Sequence, residues 1–92
     1  MAISGQKTVT AAGTAETLGT TVVQGPLMIK ALAANTGLIF IGNDGANDVA
    51  STNGMELAPG DALIFDWIGS FVSVYIDSAV NGEGVSWLKL SV

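Results

Sequence analysis

"ALIFDWIGSFVSVYIDSAVNGEGVSWLKLSV", residues 62–92, decides the fold class. Three runs of strand length stand in it, separated by glycine, serine and asparagine. In "FVSVYIDS", Val72, Val74 and Ile76 fall on one side of an alternating chain, and Ser73, Tyr75 and Asp77 fall on the other. A period of two marks a half-buried strand. In "VSWLKLSV", Leu88 and Leu90 alternate with Trp87 and Lys89. These two runs predict a core built on Val72, Val74, Ile76, Leu88 and Leu90. The first run behaves differently. Leu63, Phe65 and Trp67 share one side of "ALIFDWIG", while Ala62, Ile64 and Ile68 share the other, interrupted only by Asp66. Both sides are dry, which fits a central strand covered on both faces. It fits equally a strand with one face in the core and one against another protein chain. Between the last two runs, "NG" at 81–82 is a hairpin signal.

Upstream the same texture continues. "QKTVTAA", "AETLGTTVVQ", "LMIKALA", "LIFIG" and "GMEL" are short β-rich runs, with Gly or Asn recurring about every eight to twelve residues, the spacing of a sandwich or barrel. "APGD" (58–61) places proline and glycine where a type II turn favours them. No stretch carries helical periodicity. The prediction is an all-β, single-domain antiparallel sandwich of about seven to eight strands, with residues 1–6 as a loose N-terminal arm.

Composition narrows the chemistry. The chain has 92 residues, which suits one domain, and contains no cysteine, histidine or arginine. Those absences remove disulfides, the usual zinc ligands, Ser-His and Cys-His nucleophile pairs, and the bidentate phosphate clamp. Eight carboxylates, three lysines and Tyr75 remain for proton transfer. A pair of carboxylates can hydrolyse a glycoside, but so small a chain has little room for a cleft, so the reading is not an enzyme. A net charge of −5 with three lysines argues against a nucleic-acid partner. The start, "MAISGQKTVT", lacks the pattern of a signal peptide, and no apolar run approaches the roughly 20 residues that span a bilayer. The expectation is a protein made in a reducing cytoplasm that needs no cofactor and no membrane. Charged residues are only 12% of the chain, about half the usual share, while apolar ones reach 49%. Such a surface suits a partner as well as it suits water.

Three candidate sites can be named. "NDGAND" (43–48) sets Asp44 and Asp48 beside glycine, yet misses the spacing of an EF-hand loop. "DSAVNGEG" (77–84) offers Asp77, Asn81 and Glu83. Asn, Asp and Gly are also the ordinary residues of turns, and both segments are read as turns with no metal needed for folding. Asp44, Asp48, Glu56 and Asp61 then keep a sticky strand in water, as gatekeepers do. Last come the aromatics Trp67, Phe71, Tyr75 and Trp87: if Tyr75 and Trp87 share an outward face, they could stack on a sugar.

Three phrases, in order, carry a resemblance: "ALAANTGLIFIGN" (31–43), "GMELAPGDAL" (54–63) and "VYIDSAVNGEGVSWLKL" (74–90). Together they resemble a family of small all-β virion proteins of tailed bacteriophages, over roughly residues 8–90. The resemblance implies a jelly-roll-like sandwich acting as a capsid decoration or cement protein, or as another small head, neck or fibre component. It implies no catalytic residues, and structural roles for Asn35, Gly37, Gly42, Leu57, Pro59, Gly60, Asp61, Asp77 and Gly82. It also implies a homo-oligomer, a trimer by preference, bound to the major capsid protein on the outside of the virion after synthesis in the bacterial host cytoplasm. The expected contacts are Phe65 and Trp67, with Met1, Ala2 and Ile3 of the arm. A carbohydrate-binding sandwich module is the reading from another class.

Overall fold

The computed structural model describes residues 4–50 and 52–90. Among these residues there are eight strands: β1 (Ser4–Thr8), β2 (Glu16–Thr17), β3 (Val22–Ala31), β4 (Ile39–Gly42), β5 (Met55–Leu57), β6 (Ala62–Ser70), β7 (Tyr75–Ser78) and β8 (Gly84–Lys89). They form two antiparallel sheets of four, in the orders β1-β8-β3-β6 and β2-β7-β4-β5. The predicted β-sandwich is the fold.

The pairing has a simple logic. β1 pairs with β8, β2 with β7, β3 with β6 and β4 with β5. The chain is thus one long antiparallel ribbon, with residues 43–54 at its tip. Rolling the ribbon brings β8 beside β3 and β7 beside β4. That is the strand order of an eight-stranded jelly roll. Rolling also makes most connections cross from one sheet to the other. The "APGD" turn does so between β5 and β6: Gly60 takes φ +86° and the Asp61 N–H reaches the Ala58 carbonyl at 2.9 Å. Residues 79–83 do so as well. The expected hairpin at Asn81-Gly82 is therefore corrected. Gly82 does turn the chain, at φ +81°, but β7 and β8 lie in opposite sheets.

The core lies between the sheets and includes Leu27, Ile29, Ile39, Ile41, Ile76 and Val85. Along one rung of the first sheet, Gly5, Trp87, Ile29 and Leu63 sit side by side on the inner face. Gly5 leaves room for the indole, since a Cβ there would come within 2.8 Å of Trp87. The Phe71 ring meets Trp87 edge-on, with centroids 4.5 Å apart. Val74 and Ile76 are buried as expected. Val72, Leu88 and Leu90 are exposed, and their placement in the core is corrected. Phe71–Ser73 is a 3-10 turn, so strand alternation does not begin before it ends. In β8 the inward phase belongs to Val85 and Trp87, which leaves the leucines outside.

Two further expectations change. Residues 4–6 are paired in β1 with β8 and are not part of a loose arm; Met1, Ala2 and Ile3 lie outside the described residues. β6 is an edge strand, not a central one.

Candidate interaction surface

β6 owes its shape to β3. Leu27 faces Phe65 and Gly25 faces Ile68, so Asp66 and Trp67 together oppose Pro26 alone. This is a β-bulge, and Pro26, which has no N–H to give, costs the ladder little at that point. The bulge breaks the alternation expected to keep Leu63, Phe65 and Trp67 on one face. Leu63 and Phe65 turn inward and pack on the core, while Trp67 swings out and is 65% exposed. Of the two contact residues expected here, Trp67 is available to a partner and Phe65 is only half so. Among the described residues no strand pairs with the outer edge of these nine residues, and such an edge is a ready template for association.

Beside this edge the sandwich stands open. A cleft of about 790 Å³ runs between β6 and the β4–β5 side, lined by Ile41, Met55, Leu63, Phe65, Trp67 and Val72 among others. Met55, Trp67 and Val72 are exposed at its rim.

The second surface is the outer face of the first sheet. Leu88, Met28 and Ile64 lie in register across β8, β3 and β6, pointing away from the core. Leu88 is 45% exposed and Ile64 55%. Next along the strands come Pro26 and the exposed Leu90, whose N–H bonds the Pro26 carbonyl at 3.1 Å. On the other side of the apolar rung stand Ser86, Lys30 and Ala62. The leucine pair assigned to the core belongs to this bare stripe.

The acidic loops are spent on the backbone. Asp48 accepts the N–H groups of Asn43 and Asp44 at 2.9 and 3.0 Å, and these bonds, Asn43 first, hold its carboxyl below the usual range. Glu83 accepts from Gly37 N at 3.0 Å and from Thr36 N and Oγ1 at 2.7 and 2.9 Å, and is lowered for the same reason. Glu16 is lowered chiefly by its hydrogen bond to Lys7, 2.9 Å away, then by the Thr10 N–H. Asp77 ties Gly13 N and Ser78 N through one oxygen. Among the described residues, no three Asp or Glu side chains gather where they could hold a metal ion. Asp48 and Glu83 behave as turn residues, Asp77 in β7 anchors the loop after β1, and the Asp44 backbone carbonyl accepts the Asn47 N–H at 3.0 Å. Asn35 joins them: its buried amide donates to the Gly84 carbonyl at 2.8 Å and accepts the Gly84 N–H at 3.3 Å.

The aromatics do not form a sugar platform of the kind proposed from Tyr75 and Trp87. Trp87 packs inward from the first sheet, and Tyr75 belongs to the second. Among the described residues no helix is long and apolar enough to cross a membrane.

Compared with protein-family models, curated proteins and solved structures, this chain matches none.

Proposed function

We propose that this chain is a structural virion protein, a decoration or cement protein that binds an assembled phage head and strengthens it. The observation that carries the reading is the β6 edge: nine residues of unpaired strand, with Trp67 standing out at the mouth of an apolar cleft. A free monomer normally protects such an edge and keeps large apolar side chains off it. The order of the motifs at 31–43, 54–63 and 74–90 adds the resemblance to tailed-phage virion proteins. The mechanism needs no chemistry. A protein that binds the closed shell and not its separated subunits stabilises the shell by mass action. The partner is the major capsid protein, met by Trp67 and the cleft rim. The chain self-associates, and the resemblance implies three copies set where shell subunits meet in threes.

The test compares particles with and without the chain under heat or osmotic shock. Loss of the chain should lower the temperature at which particles release their contents. Adding back the parent should restore it, and adding back Trp67→Asp should not. Equal survival with and without the chain overturns the reading.

A further inference from the structure

The bare outer face of the first sheet reaches beyond the β6 edge assigned to the shell, across β3 and β8. Its charges are arranged unevenly. All three lysines lie on the strands of this sheet, Lys7 in β1, Lys30 in β3 and Lys89 in β8. Asp66 is the one acid on the same four strands, and the other seven acids lie on the second sheet or in loops. Lys7 is used by Glu16. Lys30 and Asp66 are both exposed, and among the described residues neither has an ion-pair partner. They flank the apolar rung on opposite sides: Lys30 is two residues beyond Met28 in β3, and Asp66 is two residues beyond Ile64 in β6, in the opposite direction across the sheet.

That order, cation then apolar rung then anion, is complementary to itself under a twofold rotation. We infer that the outer face of the first sheet is the contact between two copies of this chain, packed face to face about a twofold axis running along the Leu88–Met28–Ile64 rung. Such a rotation lays the apolar rung of one copy on that of the other. It brings Lys30 over the row of the partner copy that holds Pro26, Leu90 and Asp66. The axis turned by a right angle, parallel to the strands, would lay each row on its own counterpart and set Lys30 over Lys30. Two sheets packed this way stand about 10 Å apart, with side chains interdigitating as in a sandwich core. An isologous contact of this kind closes on itself at two copies and does not itself propagate a fibre. The threefold that the resemblance implies needs a different contact, in which each copy offers two unlike patches.

The twofold pair buries Leu88 and Leu90, which edge-to-edge pairing through β6 would leave wet because β8 is an inner strand. It also leaves Met55 and Val72 at the cleft rim free for the shell. The pair rests on the same expectation of self-association as the cement reading, but the two can fail separately. A monomer that still protects particles sinks only the pair, and a dimer that never binds particles sinks only the cement reading.

The experiment is sedimentation equilibrium of the purified chain at concentrations of tens of micromolar, with circular dichroism as a check on folding. The parent should have dimer mass. Leu88→Lys should have monomer mass with an unchanged spectrum. Lys30→Asp and Asp66→Lys should each raise the dissociation constant by about tenfold or more, since each sets like charges together. The double variant carrying both exchanges should return close to the parent value. A monomeric parent, a trimer, a dimer indifferent to Leu88→Lys, or a double variant no tighter than the single ones overturns the inference.

Discussion

The two outer faces of the sandwich are built from similar strands and end up in opposite conditions. On the second sheet, Phe40 points outward between Asp77 and Glu56, yet it is only 5% exposed. The ribbon tip folds back over it, so that a Cβ at Gly54 would come within 2.8 Å of the Phe40 Cβ. The loop after β1 closes the same side, with Gly13 N bonded to Asp77 and Ala12 N bonded to Asn81 at 2.7 Å. On the first sheet, Leu88 points outward between Ser4 and Met28 and is 45% exposed. Among the described residues no loop is laid over it. Alternation says which way a side chain points. Whether that direction leads to water depends on what the loops do afterwards.

The comparison can be broken in four ways, the largest first. Phe40→Ala removes a roofed ring, and thermal unfolding should show a loss of about 3 kcal/mol, or more than about 10 °C in Tm for a domain this size. A loss under about 1 kcal/mol would mean the roof is not packed. Gly54→Ala attacks the roof itself. The new methyl must push either Phe40 or the Ala50 carbonyl, which lies 3.1 Å from the same point, and should cost about 1–2 kcal/mol in denaturant titration.

The third test is acid. Glu16, Asp48 and Glu83 have lowered pKa values in the folded chain, against ordinary values of 4.5, 3.8 and 4.5. The unfolded chain then binds more protons in that range, so stability rises with pH. The contribution is complete above about pH 4.5 and is lost as the pH falls through the lowered folded values. Tm should be level above that point and decline below it. Glu83→Gln and Asp48→Asn should each flatten part of the decline, because an amide in that place does not titrate. A Tm that rises on acidification would reverse the sign and the argument with it. The smallest effect belongs to the bare face. Leu88→Ala, measured at dilution where the chain is monomeric, should move stability by no more than about 0.5 kcal/mol. A larger loss would place Leu88 in the core after all.

Much of the fold was legible in the residues. Glycine and asparagine punctuation marked the strand ends, "APGD" named its own turn, and Val74 and Ile76 showed their inward phase. The errors have physical causes. "SWLKL" has an apolar residue on both faces. Leucine is the commoner core residue, but the indole of Trp87 fills more space over Gly5 and beside Phe71, so it takes the inside. The phase shared by Val85 and Trp87 was the available signal. The bulge at Asp66-Trp67 was not visible in β6 itself, since it depends on Pro26 in the facing strand. Partnering between sheets was hidden for the same reason: "NG" turns the chain in a hairpin and in a crossover alike. Of the expected contact residues, Trp67 stood out as an aromatic in the apolar run "ALIFDWIG", and it is exposed. Leu88, Met28 and Ile64 become one rung only when three strands are in register.

The most direct measurement is carbene footprinting of the chain at high and low concentration, read residue by residue by mass spectrometry. Met28, Ile64, Leu88 and Leu90 should lose labelling as concentration rises. Met55 and Val80, which are exposed elsewhere, should not. Labelling that is the same at both concentrations, or protection confined to the second sheet, would contradict a first sheet left bare for its own copy.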